Sequence, residues 1–128
     1  MTDTIVVVDD GMAIITNRLK DSGTTPHFIE WGIGAVAADA ANSTLGSAGA
    51  HESRTAGTMT QQTTNETNDT FQVVGTITCA TGAKAITEAG LFDASTSGNM
   101  FLRGTFSAIN VNVADSIEFT IKAAFDQA

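Results

Sequence analysis

The stretch that decides the fold is Asp115-Ser-Ile-Glu-Phe-Thr-Ile-Lys-Ala-Ala-Phe125. Ile117, Phe119, Ile121, Ala123 and Phe125 alternate with Ser116, Glu118, Thr120, Lys122 and Ala124. Successive side chains of a strand point to opposite faces, so this period of two places every large apolar group on one side of a half-buried strand. Upstream, Phe71, Val73, Gly75, Ile77 and Cys79 alternate with Gln72, Val74, Thr76 and Thr78 and predict a second such strand. Between the two, residues 84–92 and 100–106 flank Asp93-Ala-Ser-Thr-Ser-Gly-Asn99. That turn-rich connection joins two antiparallel strands. Phe71, Ile77, Ile117, Phe119, Ile121 and Phe125 are the expected core.

The first half is more mixed. Ile5, Val6, Val7 and Val8 form a β-branched run, read as a strand or an extended arm, that ends at Asp9-Asp-Gly11. From there the period changes. Met12, Ile15 and Leu19 follow helical spacing, Asp10 is available as N-cap, Arg18 and Lys20 suit the last turn and Gly23 lies just beyond, so one short helix is expected near 11–20. After a turn at 23–26, residues 27–31 read as a strand that bends at Gly32-Ile-Gly34. Residues 35–50, mostly Ala, Ser, Gly and Asn, read as a loop, with a helical turn at 35–41 also compatible. The Thr-rich residues 53–68 read as a hairpin. Six to seven strands and one N-terminal helix predict a mainly β chain, an antiparallel β-sandwich for which jelly-roll connectivity is one arrangement. Residues 1–128 read as a single domain, with 1–10 as a candidate arm.

Composition narrows the function. The chain has 128 residues, 42% of them hydrophobic, enough for one core without covalent staples. Its single cysteine, Cys79, cannot pair within the chain and gives no cysteine-based zinc site. Fourteen acids against six bases leave a formal charge of −8. A nucleic-acid surface needs clustered cations, whereas Arg18, Lys20, Arg54, Lys84, Arg103 and Lys122 are scattered, so no nucleic-acid partner is expected. No basic residue precedes the apolar run at 5–8 and no stretch approaches the ~20 apolar residues of a membrane span. The expectation is synthesis in a cytoplasm, no membrane, and any later location reached by assembly.

The chemical motifs are weak. His27 and His51 have no neighbour that makes either a general base, and there is no Gly-x-Ser-x-Gly elbow. Asp93-Ala-Ser-Thr-Ser-Gly98 has the oxygen spacing that opens a calcium loop, but Gly104 stands where the bidentate acid belongs. Asp9 and Asp10 are explained by helix capping, and three Asn-x-Thr triplets match the glycosylation pattern as a Thr-rich chain does by chance. No enzyme, cofactor, metal or small-molecule substrate is expected. Glu30, Glu88 and Arg103 are more informative, because they sit inside β-patterned apolar segments. Each either faces solvent or forms a cross-strand pair, or Glu88 and Arg103 pair at a partly buried contact between subunits. Trp31 is core by default, and with Ile5, Val6, Val7 and Val8 it is also a candidate contact residue. A β-branched arm can add to a neighbour's sheet edge.

Phe28-Ile-Glu-Trp-Gly-Ile-Gly34, Arg54-Thr-Ala-Gly57, Phe71-Gln-Val-Val-Gly-Thr-Ile77, Ile86-Thr-Glu-Ala-Gly-Leu-Phe-Asp93, Gly98-Asn-Met-Phe-Leu-Arg-Gly-Thr-Phe106 and Ile109-Asn-Val-Asn-Val-Ala-Asp-Ser-Ile117 follow in order. Together they resemble a group of small tailed-bacteriophage virion proteins that includes capsid decoration, or cement, proteins. Similar segments occur in phage tail-fibre-type proteins. The resemblance spans most of residues 4–125, and its most specific part is Glu88-Ala-Gly-Leu-Phe-Asp93 with the Arg-x-Thr-Phe strand after it. It implies a β-rich protein, commonly a homotrimer, on the outer face of an expanded capsid, where it bridges major capsid protein subunits. Individual capsid-contact residues do not carry over. Residues 5–8 and the helix near 11–20 are the expected contacts with the shell or a neighbour. The alternative is a tail or fibre-associated module that binds a host receptor. Against it stand the lack of a stalk repeat and the presence of only one Trp and no Tyr for stacking on sugar.

Overall fold

The computed structural model describes residues 7–21, 24–47 and 52–125. One helix, α1 (Asp9–Asp21), precedes seven strands: β1 (Phe28–Gly32), β2 (Thr55–Ala56), β3 (Thr58–Gln62), β4 (Thr70–Thr78), β5 (Lys84–Phe92), β6 (Met100–Val111) and β7 (Ser116–Ala124). They form a four-stranded sheet of order β2-β1-β5-β6 and a three-stranded sheet of order β3-β4-β7, antiparallel throughout. The chain is therefore mainly β, with the two sheets arranged as a sandwich.

The period-two reading explains the register. Phe71 lies opposite Ala123, Val73 opposite Ile121 and Ile77 opposite Ile117, so both alternating stretches turn their apolar faces the same way. In the other sheet Ile29 lies opposite Leu91 and Trp31 opposite Ala89. These two faces close on one cluster in which Ile29, Trp31, Phe71, Val73, Ile77 and Leu91 are all buried and Ile117, Ile121 and Phe125 pack partly buried against it. The Trp31 ring meets Phe119 edge-on at 6.5 Å across the sandwich. Burying each such side chain is worth roughly 1.5–3 kcal/mol, so this seam contributes strongly to the stability of the fold.

The chain changes sheets at Gly57, between β2 and β3. Gly57 N–H donates to the His27 carbonyl at 2.7 Å. A Cβ at Gly57 would lie 2.4 Å from Val73 Cγ1, and one at Gly75 would lie 2.9 Å from Ile29 Cδ1 and 3.3 Å from Gly57 Cα. Two glycines face each other there, which lets one short segment serve both sheets.

Several expectations shift. The helix begins at Asp9, and the Val8 carbonyl accepts the Met12 N–H at 3.2 Å, so Val8 and not Asp10 holds the cap position. Asp9 and Asp10 sit in the first turn, where the helix dipole favours acids. An arm, read as residues 1–10, therefore ends before Asp9, and residues 1–6 lie outside the described ones. The helix buries Met12 and Thr16, while Ile15 is 37% exposed. Thr16 was invisible to apolar periodicity because it docks by hydrogen bonds. Its hydroxyl lies 2.7 Å from the Asn68 carbonyl and accepts from Gln61 Nε2 at 2.8 Å. Residues 35–41 form no helical turn, β6 runs on to Val111, and the partner strand of the Thr-rich segment is β4.

Candidate functional site

The face of the four-stranded sheet that points away from the core carries Phe28 opposite Phe92, Glu30 opposite Gly90, Gly32 opposite Glu88, and Arg103 opposite Gly90 from the other side. Charges on an outer face are ordinarily solvated. Here the loop 33–47 folds over Glu88 and Arg103, with Leu45 only 5% exposed above Gly90, where an added Cβ would meet Leu45 Cδ2 at 2.9 Å.

Glu88 fastens this loop. Its side chain is fully buried, and Arg103 is 3% exposed. Glu88 Oε1 accepts Arg103 Nε at 3.0 Å and Gly46 N–H at 2.7 Å. Glu88 Oε2 accepts Ser47 N–H at 2.9 Å and, at very close range, Gly34 N–H. Arg103 spends its remaining donors on the Val36 carbonyl at 2.7 Å, the Ala37 carbonyl at 3.2 Å and Asn42 Oδ1 at 2.9 Å. Thr87 adds a hydroxyl bond to the Gly34 carbonyl at 2.6 Å. Burial alone would push the Glu88 carboxyl upward. The amides of Ser47 and Gly46, the Arg103 guanidinium and the Gly34 amide outweigh it and hold the group below its ordinary value. Gly32-Ile-Gly34 is therefore more than a bend. A Cβ on Gly34 would fall 2.1 Å from Glu88 Oε2 and one on Gly32 2.9 Å from it, so both glycines make room for the carboxylate.

Three further charged groups repeat the device. Glu52 accepts from Trp31 Nε1 at 2.9 Å, from the amides of Ala80 at 2.8 Å and Thr81 at 3.1 Å, and from Lys84 Nζ at 3.0 Å. Burial opposes its ionisation, but the Ala80 amide, Lys84, Trp31 and the Thr81 amide together hold its carboxyl far below the usual range. For Lys84, burial works against the charged form, yet Glu52 and Cys79 beside it keep the ammonium's pKa raised. Asp69 closes the turn before β4, accepting the amides of Thr64, Asn65 and Glu66 at 2.9 Å each and the Thr70 hydroxyl at 2.7 Å. The Glu66 amide leads the set that holds its carboxyl well below the ordinary value despite burial. Arg54 pairs with Glu30 at 2.6 Å, donates to the Ala94 and Ser97 carbonyls, and lays its guanidinium 3.6 Å from the Phe92 ring centroid. It ties down the 93–99 turn.

The candidate residues read from the sequence separate into three groups. Glu88 and Arg103 do pair, but within one chain and beneath a loop, so the pair is not itself a contact between subunits. Trp31 is 1% exposed and belongs to the core, its default reading, and not to a contact surface. Val7 and Val8 are 50% and 61% exposed, while Ile5 and Val6 lie outside the described residues, as does His51. His27 stacks on Phe28 and its Nδ1 lies 2.8 Å from the Thr25 hydroxyl. In the 93–98 segment Asp93 Oδ1 accepts the Asn99 amide at 2.7 Å, which makes an ordinary turn. Among the described residues no group of three or more His, Cys, Asp or Glu is placed to hold a metal ion, and no helix is long and apolar enough to cross a membrane.

No family model matches the chain, and no curated protein or solved structure matches it.

Proposed function

We propose that this chain is a structural virion protein that decorates the outer surface of a bacteriophage capsid and stabilises the mature, expanded shell by bridging major capsid protein subunits. The observation that supports the reading best is the use made of buried charge. Glu88, Arg103, Glu52, Lys84 and Asp69 direct most of their hydrogen bonds to loop backbone or to one another. Catalytic acids and bases face a cleft where a substrate can reach them. These groups instead stiffen a small sandwich at its loops, as a part under mechanical load requires. The docked helix also presents Ile14 and Ile15, and Val7 and Val8 lie just before it, each 37–61% exposed, apolar surface suited to a protein neighbour.

The mechanism is mass action. A protein that binds only the expanded lattice shifts the shell toward that state by RT ln(1 + [L]/Kd) at each site. Weak contacts suffice when they recur over the whole head. The chain would be made in the cytoplasm of the bacterial host and reach the particle by assembly.

Immunogold labelling of intact virions with an antibody to this chain, viewed by negative-stain electron microscopy, tests the location. Gold distributed over the head is expected. Gold confined to the tail or its tip overturns decoration and favours a receptor-binding module.

A further inference from the structure

Between the 33–47 loop and the start of β6 lies a cavity of about 370 Å³, lined on the loop side by Asp39 and Asn42 and on the strand side by Met100, Phe101 and Leu102. Its size falls within the ~300–1,000 Å³ of small-ligand pockets, which combine apolar walls with a few placed polar groups.

The two polar side chains are each half used. Asn42 Oδ1 accepts the Asp39 N–H at 2.8 Å and Arg103 Nη1 at 2.9 Å, which fixes the oxygen end of the amide and leaves its amino end over. Asp39 Oδ1 accepts the Ala41 N–H at 2.8 Å. Among the described residues nothing bonds to Asp39 Oδ2 or to Asn42 Nδ2. The turn at 39–42 is held by the used halves alone. One acceptor and one pair of N–H donors therefore remain at the same cavity, with their sense fixed.

Charge and shape narrow the ligand. Arg103 is 3% exposed and matched by Glu88, so no cation is offered to an anionic ligand, and Asp39 repels one. A cation would leave the Asn42 donors unmatched. Phe101, the one aromatic residue of the lining, already meets Phe71 edge-on at 6.2 Å and offers a sugar ring no open platform for stacking. A neutral group that donates on one side and accepts on the other satisfies both residues, and a peptide group does so in one plane. We propose that this cavity binds an uncharged peptide segment. One peptide group donates its N–H to Asp39 Oδ2 and accepts from Asn42 Nδ2, and an adjoining apolar side chain lies against Met100, Phe101 and Leu102. The Glu88–Arg103 clamp sets the loop before the peptide arrives, so little ordering is lost on binding. The inference concerns the chain by itself and does not rest on capsid decoration.

The test is a titration of the full chain with N-acetyl-leucine N-methylamide, followed by amide chemical shifts in two-dimensional NMR. Shifts confined to residues 38–42 and 100–103 are expected, with a dissociation constant in the millimolar range. Two isosteric variants leave the turn intact. Asp39→Asn keeps the acceptor for the Ala41 N–H and replaces the free oxygen with a donor, whereas Asn42→Asp keeps the acceptor for Arg103 and removes the free donors. Each is expected to weaken binding about tenfold, the effect of one unmatched hydrogen-bonding group. N-acetyl-leucine methyl ester, which lacks the second N–H, and N-acetyl-glycine N-methylamide, which lacks the apolar side chain, are expected to bind more weakly by a similar factor. No shifts up to the solubility limit, isosteric variants that bind as wild type does, or equal shifts from the ester or from methyl glucoside would each overturn the proposal.

Discussion

Replacing Glu88 with alanine lowers the free energy of unfolding by about 3–5 kcal/mol, the usual cost of removing one partner of a buried ion pair. The alanine leaves Arg103, 3% exposed, without its counter-charge, and strips the amides of Gly34, Gly46 and Ser47 of their common acceptor. Because the pair lies within one chain, the loss appears in the fold of the single protein. An assembly role alone would leave the monomer's stability unchanged. Glu88→Gln retains one acceptor and the side-chain shape and should lose less than the alanine variant. Urea denaturation followed by Trp31 fluorescence measures both, since this sole tryptophan is 1% exposed in the folded state.

Acid destabilises the protein, and Glu52 carries a large part of the effect. Glu52, Asp69 and Glu88 are all held below their ordinary values in the fold. The sign follows from linkage. Above the unfolded-state values, near 4.5 for the glutamates and 3.8 for the aspartate, their contribution is fully present. As pH drops below those values the unfolded chain takes up protons that the folded chain refuses, and stability is lost. Three such groups correspond to uptake of up to about three protons on unfolding, and Glu52→Gln should reduce the acid slope by roughly a third. The same variant leaves Lys84 without its carboxylate. The Lys84 contribution runs the other way, present below the ordinary 10.5 and lost only as pH rises through its raised value. Unfolding midpoints in urea at a series of pH values between neutrality and acid check the slope for both proteins. Equal slopes would show that the Glu52 cluster does not fasten the turn.

Much of the sandwich was legible because two-residue periodicity is a local signal. Residues 71–79 and 115–125 each announce which side is buried, and their pairing follows once both faces must be covered. The hairpin around Asp93–Asn99 was equally plain from its turn residues. What stayed hidden were the interactions that no periodicity records. Glu30, Glu88 and Arg103 stood out as charges among apolar neighbours, but a sequence does not say that a loop of Ala, Ser and Gly will lie over the last two, or that Arg54 will reach the first. The glycines at 32, 34 and 46 were the available sign, since small residues gathered around an acid leave room for a carboxylate. Thr16 was missed because a hydroxyl buried by hydrogen bonding reads as polar. Glu52, Asp69 and Arg54 were passed over because their partners are backbone amides and carbonyls, which any sequence supplies.

Buried charges fasten the loops of a rigid sandwich, and hydrogen exchange followed amide by amide in the native protein reads that fastening at each loop. The amides of Gly34, Gly46 and Ser47, and those of Thr64, Asn65 and Glu66, lie outside the strands, yet each donates to a buried carboxylate. They are expected to exchange as slowly as the amides of β5, opening only with the whole fold. Exchange at the rate of an open surface loop would contradict that fastening.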